Sequence, residues 1–363
     1  MVDRGKLSKE TILRILDRAR WAPSGDNTQP WRFQIVADDQ VIVHGYDTRD
    51  EILYDFDGHA SHMAHGALLE TMRIAASAEG LAMAWHANAD EEWRKVEYLV
   101  RFWDAPDLAQ DRLSPYIETR TVQRRPMRLT PLTAAQRQAL LDAPGEGYSV
   151  QLFESFSDRK KIAKLLWDNA YIRLTCPEAF PVHRSIIEWG VRFSKDRIPE
   201  QAVGVDPLTG KLMRWVMQSW PRVEFFNRYL LGTIAPRIQL DFLPALMCSA
   251  HLLLRPAVPP KRLLDWVNLG VAMQRLWLSA TQHGLCFQPE MTPVIFRWYA
   301  RSGKQFSKST IFAKKSEALA LKFEHIAMAS NNDAFGFFGR VGTSSFPHSR
   351  SIRMELKDLI LRE

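Results

Sequence analysis

One helical pattern occurs twice in this chain, and any fold must accommodate both copies. Residues 66–81 read Gly-Ala-Leu-Leu-Glu-Thr-Met-Arg-Ile-Ala-Ala-Ser-Ala-Glu-Gly-Leu, and residues 270–285 read Gly-Val-Ala-Met-Gln-Arg-Leu-Trp-Leu-Ser-Ala-Thr-Gln-His-Gly-Leu. Glycines bracket each helix at the same separation, Ala76 and Ala280 hold the same place, and Leu81 and Leu285 follow the second glycine. Coincidence of small and apolar positions at this length marks an internal repeat. The second copy carries an apolar stripe at Leu269, Met273, Leu276 and Ala280, which reads as a core-facing surface. A second pair agrees with duplication. Residues 132–144 form a helical pattern running into Ala-Pro, as residues 12–23 do, and 148–153 read as the strand that follows.

The first copy has a distinctive loop. Ile12, Ile15, Leu16 and Ala19 share one face of a helix for which Ser8 is a suitable N-cap, within residues 1–20. Pro23 stops that helix, and Ser24, Gly25, Asp26 and Asn27 make a tight polar turn. An extended run from Phe33 to Val36 then reads as a strand, paired across residues 37–40 with another from Val41 to Tyr46. A proline-pinned polar loop before a buried strand suits the polar edge of a flat ligand. It also suits an ordinary helix-to-strand turn.

The string Ala22-Pro23-Ser24-x-x-Asn27-x-Gln29-Pro30-Trp31 resembles the signature of the FMN-dependent nitroreductase family. The resemblance implies an α+β fold in which flavin lies in a cleft between two subunits and the repeated helix lies in their interface. It implies flavin contacts from Ser24 and Asn27, with Pro23 and Gln29 beside them and Gln29 and Trp31 serving as framework. Single-repeat members begin with an Arg-x-Ser-x-Arg/Lys run that holds the FMN phosphate. Here residues 1–6 lack it, and the pattern stands before the second copy as Arg120-Thr121-Val122-Gln123-Arg124-Arg125. Forked guanidinium donors suit a dianionic phosphate. Val122 replaces the usual hydroxyl residue, for which Thr121 is a substitute. After the second repeated helix, the family's flavin-edge loop corresponds to Phe287-Gln288-Pro289-Glu290, so Gln288, Pro289 and Glu290 join the set. The closing segment, 342–353, implies a basic residue returning to the phosphate, with Arg350 the candidate and Arg353 its rival.

The copies differ in length. Pro23 to Gly66 spans about 43 residues and Pro144 to Gly270 about 126, which places an insertion of roughly 83 within 160–245. That region mixes Trp189, Trp215, Trp220, Phe225, Phe226 and Tyr229 with basic residues, and 212–231 reads as an amphipathic helix broken near Pro221. Aromatic and basic content suits membrane or nucleic-acid contact, for which no known motif is present, and suits better a lid over the cofactor cleft, with plain helical core packing the next alternative. Residues 243–254 read as a buried central strand.

Other chemistries find little support. His59, His62 and His65 recur every third residue, but on a helix that spacing drifts by about 60° per step and splays the side chains. No metal site is expected. Cys176, Cys248 and Cys286 are odd in number and widely spaced, suggesting neither zinc nor disulfides and fitting a reducing cytoplasm. No apolar run reaches the ~18 residues of a membrane span, and no leader is apparent. The net charge of +7 reads as an ordinary basic surface that also suits anionic ligands such as FMN phosphate or NADPH. No Ser-His-Asp or Cys-His set stands out, so no catalytic side chain is assigned.

The expectation is therefore an α+β pseudo-dimer of two fused nitroreductase-like repeats, 1–115 and 116–363. Each has an antiparallel or mixed sheet flanked by helices, and the second carries a helical lid. The function implied is hydride transfer from NAD(P)H through FMN to a nitroaromatic, a quinone or another small acceptor. A flavin-holding protein of low turnover and a dedicated biosynthetic flavin oxidase are the alternatives. Only the first loop and the second arginine cluster are intact, because Gly145-Glu146-Gly147 replaces the second loop. One FMN per monomeric chain follows.

Overall fold

A computed structural model describes residues 7–361. Helix α1 (Lys9–Ala19) starts where Ser8 Oγ accepts from Thr11 N, and it buries Ile12, Ile15, Leu16 and Ala19. Strands β1 (Trp31–Ala37) and β2 (Gln40–Tyr46) form a tight hairpin. Helix α2 (His59–Ala78) leads to β3 (Leu81–Ala89) and β4 (Lys95–Asp104). These four strands pair antiparallel in the order β1-β2-β4-β3. Alternation along β4 is strict, with Val96, Tyr98, Val100 and Phe102 buried and their neighbours exposed.

The second half repeats this plan with longer connections. Helix α3 (Ala134–Asp142) and β5 (Tyr148–Phe153) open it. After the inserted segment come β9 (Ala250–Pro256), α10 (Leu263–Gln282), β10 (Cys286–Pro289) and β11 (Phe337–Gly342). Their sheet runs β5-β9-β11-β10, the same order as the first when each strand is matched to its counterpart.

The two repeated helices, α2 and α10, pack against each other with a reciprocity that only a two-fold relation produces. A Cβ on Gly66 would lie 1.8 Å from the Val267 carbonyl oxygen, and one on Gly270 would lie 2.0 Å from that of Met63. Val267 stands to Gly270 as Met63 does to Gly66. Farther along, Arg275 pairs with Glu70 at 2.6 Å, while Gln274 Nε2 donates to Thr71 Oγ1 at 2.8 Å. Glu70 and Gln274 are counterparts, as are Thr71 and Arg275. Each helix also serves the other half's core: Met63 and Ala67 pack with the second sheet, Val267 and Leu278 with the first.

Several expectations need correction. Both repeated helices begin seven residues earlier than their bracketing glycines, so the histidines lie inside α2. The segment 243–254 is not one strand: α9 (Leu243–Leu246) follows the π-helical turn Arg237–Phe242, and the strand starts at Ala250. Pro244 lacks the N–H that a central strand must donate. The insertion is wider than 160–245. It fills everything between β5 and β9, beginning with α4 (Phe156–Thr175). A second excursion, α11 (Thr292–Ser302) and α12 (Thr310–Ala327), separates β10 from β11. The expected break at Pro221 is present, in the first turn of α7 (Trp220–Tyr229), which follows α6 (Pro207–Val216). Helix α5 (Phe180–Ile186) and the short strands β6 (Ile187–Glu188), β7 (Phe193–Ser194) and β8 (Ile198–Pro199) complete the insertion, with one turn of α8 (Ile234–Pro236).

The chain finally returns to the first half. Strand β12 (Arg350–Ser351) pairs with β7, α13 (Leu356–Leu359) buries Leu359 in the first core, and Leu361 N donates to Phe33 O at 2.8 Å.

Candidate functional site

Two adjoining cavities lie between the halves. The larger holds about 410 Å³ and the smaller about 70 Å³, and Pro23, Ser24, Asp26, Val122, Arg124 and Trp277 line both. The larger is within the range of small-molecule sites, roughly 300–1,000 Å³.

The loop after α1 forms one wall. Ser24 Oγ accepts from Gln29 N at 2.9 Å and closes the turn. Asp26, Asn27 and Gln29 all have left-handed backbones, at φ of 49°, 69° and 50°. Such clustering of unfavourable conformations is characteristic of functional loops, where surrounding contacts must hold them. Those contacts are visible. Asn27 Nδ2 donates to the carbonyls of Lys195 and Ile352, both at 3.1 Å. Gln29 Nε2 donates to Lys195 O at 2.8 Å, and Gln29 Oε1 accepts from Met354 N at 3.0 Å. Behind the loop, His65 Nε2 donates to Pro30 O at 2.8 Å and Nδ1 accepts from Tyr98 Oη at 3.2 Å.

The second wall is basic. Arg120, Arg124, Arg350 and Arg353 all line the smaller cavity. Arg120 is buried, its Nη2 donating to Trp21 O at 2.9 Å and its guanidinium 4.5 Å from the Trp277 ring centre. Its Nε is buried with no partner. Arg353 Nε donates to Ala22 O at 3.0 Å, and Arg350 Nη1 to Glu118 O at 2.7 Å. Among the described residues none of these four forms an ion pair with a carboxylate within 4.0 Å. Burial, then the charges of Arg353 and Arg350, push Arg120 well below its ordinary pKa. Burial and Arg350 likewise lower Arg353. Buried cations without counter-charge are costly, and an anion in the smaller cavity would relieve that cost.

Backbone pairing sets this segment beside β10: Gln123 N donates to Phe287 O at 2.9 Å, and Val122 bridges Phe287. Arg340 locks the arrangement. Its Nη2 donates to the carbonyls of Gln123, Arg124 and Arg125, and its Nη1 pairs with Glu290 at 3.0 Å. Glu290 also pairs with His251 Nδ1 at 2.8 Å.

The inserted segment supplies the far side of the larger cavity. Ile186, Ile187, Val203, Met213, Met217 and Leu240 make it apolar. Its polar groups are mutually paired. Arg173 Nη2 lies 2.7 Å from Asp241, which burial nonetheless holds up at about 6. Tyr54 Oη and His183 Nε2 are 2.8 Å apart, and burial then Arg173 pull the imidazole down to about 3.

Of the residues expected at the site, Pro23, Ser24, Asn27, Arg120, Arg124, Gln288, Pro289, Glu290 and Arg350 line one cavity or both. Gln29 and Arg125 line neither. Gln29 is fully buried, spending its amide on Lys195 and Met354, and Arg125 is exposed with Nη2 donating to Gln201 O at 3.4 Å. Arg353 lines the site together with Arg350, so the two are partners rather than rivals. Asp26, Trp277, Arg340, Tyr54 and His183 were not foreseen. Asp26 alone carried a signal, since it stands inside the recognised loop. Of the three spaced histidines, His62 and His65 are buried and His59 is partly buried, stacked on Trp266; among the described residues no group of three or more His, Cys, Asp or Glu could hold a metal ion.

Comparison with known proteins gives one family model, a curated relative and several solved structures. Residues 2–167 match the model of the Nitroreductase family. An uncharacterized protein of Mycobacterium tuberculosis is 25% identical over 311 residues, covering 84% of this chain; the chain spans only 42% of that relative's length. Among solved structures, the FMN-dependent nitroreductase NfnB of Mycobacterium smegmatis, in complex with NADPH, aligns at 12% identity and a TM-score of 0.40, covering 68% of this chain and 96% of its own. A nitroreductase with bound FMN from Desulfitobacterium hafniense aligns at 13% identity and 0.34, covering 70% and 98%. The match to the nitroreductase family covers residues 2–167, a little under half of the chain.

Proposed function

We propose that this chain holds FMN and is an oxidoreductase acting from NAD(P)H to a small, uncharged, largely apolar acceptor such as a nitroaromatic or a quinone. The observation that carries the reading is the set of four arginines converging on a cavity of about 70 Å³ whose lining holds one carboxylate, Asp26. Arg120, Arg350 and Arg353 fit a phosphate dianion by charge and by donor geometry. The unpartnered Nε of Arg120 and the buried, unpartnered Oδ1 of Asn27 offer a free donor and a free acceptor beside it. When bound, FMN supplies two-electron hydride chemistry that no side chain here provides.

The protein's own residues do the rest. Ser24, Asp26 and Asn27 present polar groups along one edge, and Gln288 and Pro289 face them across the larger cavity. Glu290 and Arg340 hold Arg120–Arg125 in register with β10. The apolar wall from the insertion excludes water. Its charges are already paired, which favours an acceptor without charge of its own. Tyr54 and His183 provide a hydroxyl and a neutral imidazole that can bond a polar substituent on it.

A second reading is favoured by the cover over the cavity: a flavin-holding protein whose insertion limits turnover. Stopped-flow reduction of the bound flavin by NADPH and by NADH separates the two. The cofactor itself is tested by denaturing the purified protein and chromatographing the released chromophore. FMN is the expected result; FAD, or no flavin after reconstitution with FMN, overturns the proposal. We also assign the halves as residues 1–115 and 116–363, the site needing both.

A further inference from the structure

The outer face of the α6–α7 hairpin is apolar, basic and uncovered. Leu208 is 78% exposed, Trp215 48%, Phe225 52%, Tyr229 62% and Leu231 70%. The rings form a continuous ladder: Trp215 to Phe226 at 5.7 Å, Phe226 to Phe225 at 6.2 Å, Phe225 to Tyr229 at 5.2 Å between centres. Leu231 takes a left-handed backbone at φ 52°, an unfavourable conformation for a branched residue kept at an exposed corner. A contiguous patch of this kind marks an interaction surface.

Charge identifies the partner. Lys211, Arg214, Arg222 and Arg228 lie on the same two helices, and none of them forms an ion pair among the described residues. The acids there are fewer. Asp206 is engaged in capping α6, accepting from Leu208 N and Thr209 N, which leaves Glu224. A second copy docked by a two-fold axis would set these cations against themselves. A nucleic acid would answer the cations and rings but leave the leucines wet. An anionic lipid surface answers both, since acyl chains take the leucines and rings while headgroups take the cations.

We propose that the α6–α7 hairpin docks on an anionic phospholipid bilayer, lying in the interface rather than crossing it. No helix among the described residues is long and apolar enough to span. The docking face is the reverse of the one that lines the larger cavity through Met213 and Met217, so it is independent of what the cavity binds.

Co-sedimentation of the full chain with unilamellar vesicles tests this, comparing pure phosphatidylcholine with phosphatidylcholine containing phosphatidylglycerol. Binding is expected to the second and to weaken with salt. Lys211→Gln with Arg228→Gln should weaken it roughly tenfold or more, two surface cations being removed. Leu208→Glu with Phe225→Glu should abolish it, while Met328→Glu, at an 86% exposed site just past the end of α12, should leave it unchanged. The proposal is overturned by equal binding to both vesicles, by no binding to either, or by hairpin variants that sediment like the parent. It is overturned equally if the parent is a concentration-dependent dimer in sedimentation velocity and Leu208→Glu with Phe225→Glu splits it.

Discussion

At the residue scale the arginines are not equivalent, although the sequence places three of them within six residues. Arg120 is buried at the smaller cavity, whereas Arg125 points to solvent. Arg120→Ala should therefore weaken FMN binding by about 1.5–3 kcal/mol, the range for a charge-assisted hydrogen bond, and Arg125→Ala by far less. Quenching of flavin fluorescence on titration measures both, and equal losses would make the cluster a diffuse basic surface. A second residue-scale prediction concerns pH. Burial holds His62 and His65 neutral, at about 2 and about 4 against an ordinary 6.5. Below pH 6.5 the unfolded chain takes up these protons and the folded chain does not, so stability falls as pH falls from 6.5 toward those values. Near pH 5 each contributes a loss of about 2 kcal/mol. Thermal denaturation should show Tm dropping over that window, and His62→Phe should flatten the drop; a parallel profile in the variant would refute the assignment. Ser24, Asn27, Arg120 and Arg350 were legible because they lie in short strings that resemble a known signature. Arg340, Tyr54 and His183 were not, because long connections bring them to the site and nothing in their local sequence announces it.

At the element scale the repeated helices were legible as helices and as a repeat, but not their lengths. The glycines that bracket them read as boundaries, whereas Gly66 and Gly270 are interior contact points. Each permits a backbone approach that a methyl would forbid. Gly66→Ala or Gly270→Ala should cost roughly 1–3 kcal/mol or more through overpacking. Gly25→Ala, where a Cβ meets nothing within 4 Å, should stay within about 0.5 kcal/mol. Urea denaturation followed by circular dichroism compares them. Similar midpoints for all three variants would mean that the helices slide apart without cost. The insertion's extent was misjudged because the count ran only from Pro144 to Gly270. The second excursion lies beyond that glycine, and the lone Pro244 that breaks the supposed strand is a weak mark within an apolar run.

At the scale of the whole molecule, the halves share one architecture but not one site. The first sheet's loop meets the second half's arginines, while residues 145–147 carry no counterpart of Ser24 or Asn27. One FMN per chain and a monomer are expected. Flavin absorbance against amino-acid analysis tests the ratio, sedimentation equilibrium tests the mass, and a ratio near two would mean that both pairings work. The site also depends on chain order. Arg353 returns to the carbonyl of Ala22 across 331 residues, so the loop that opens the site is made well before the cation that closes it. At translation rates of about 5–20 residues per second, roughly 20–70 seconds separate them on the ribosome. During that interval the loop lacks the part of the smaller cavity's lining that Arg350 and Arg353 supply. Tight FMN loading is expected only once the segment that carries Arg350 and Arg353 has been released. A product that ends before Arg350 is expected to hold FMN more weakly even with both sheets complete, which the absorbance of a truncated chain measures.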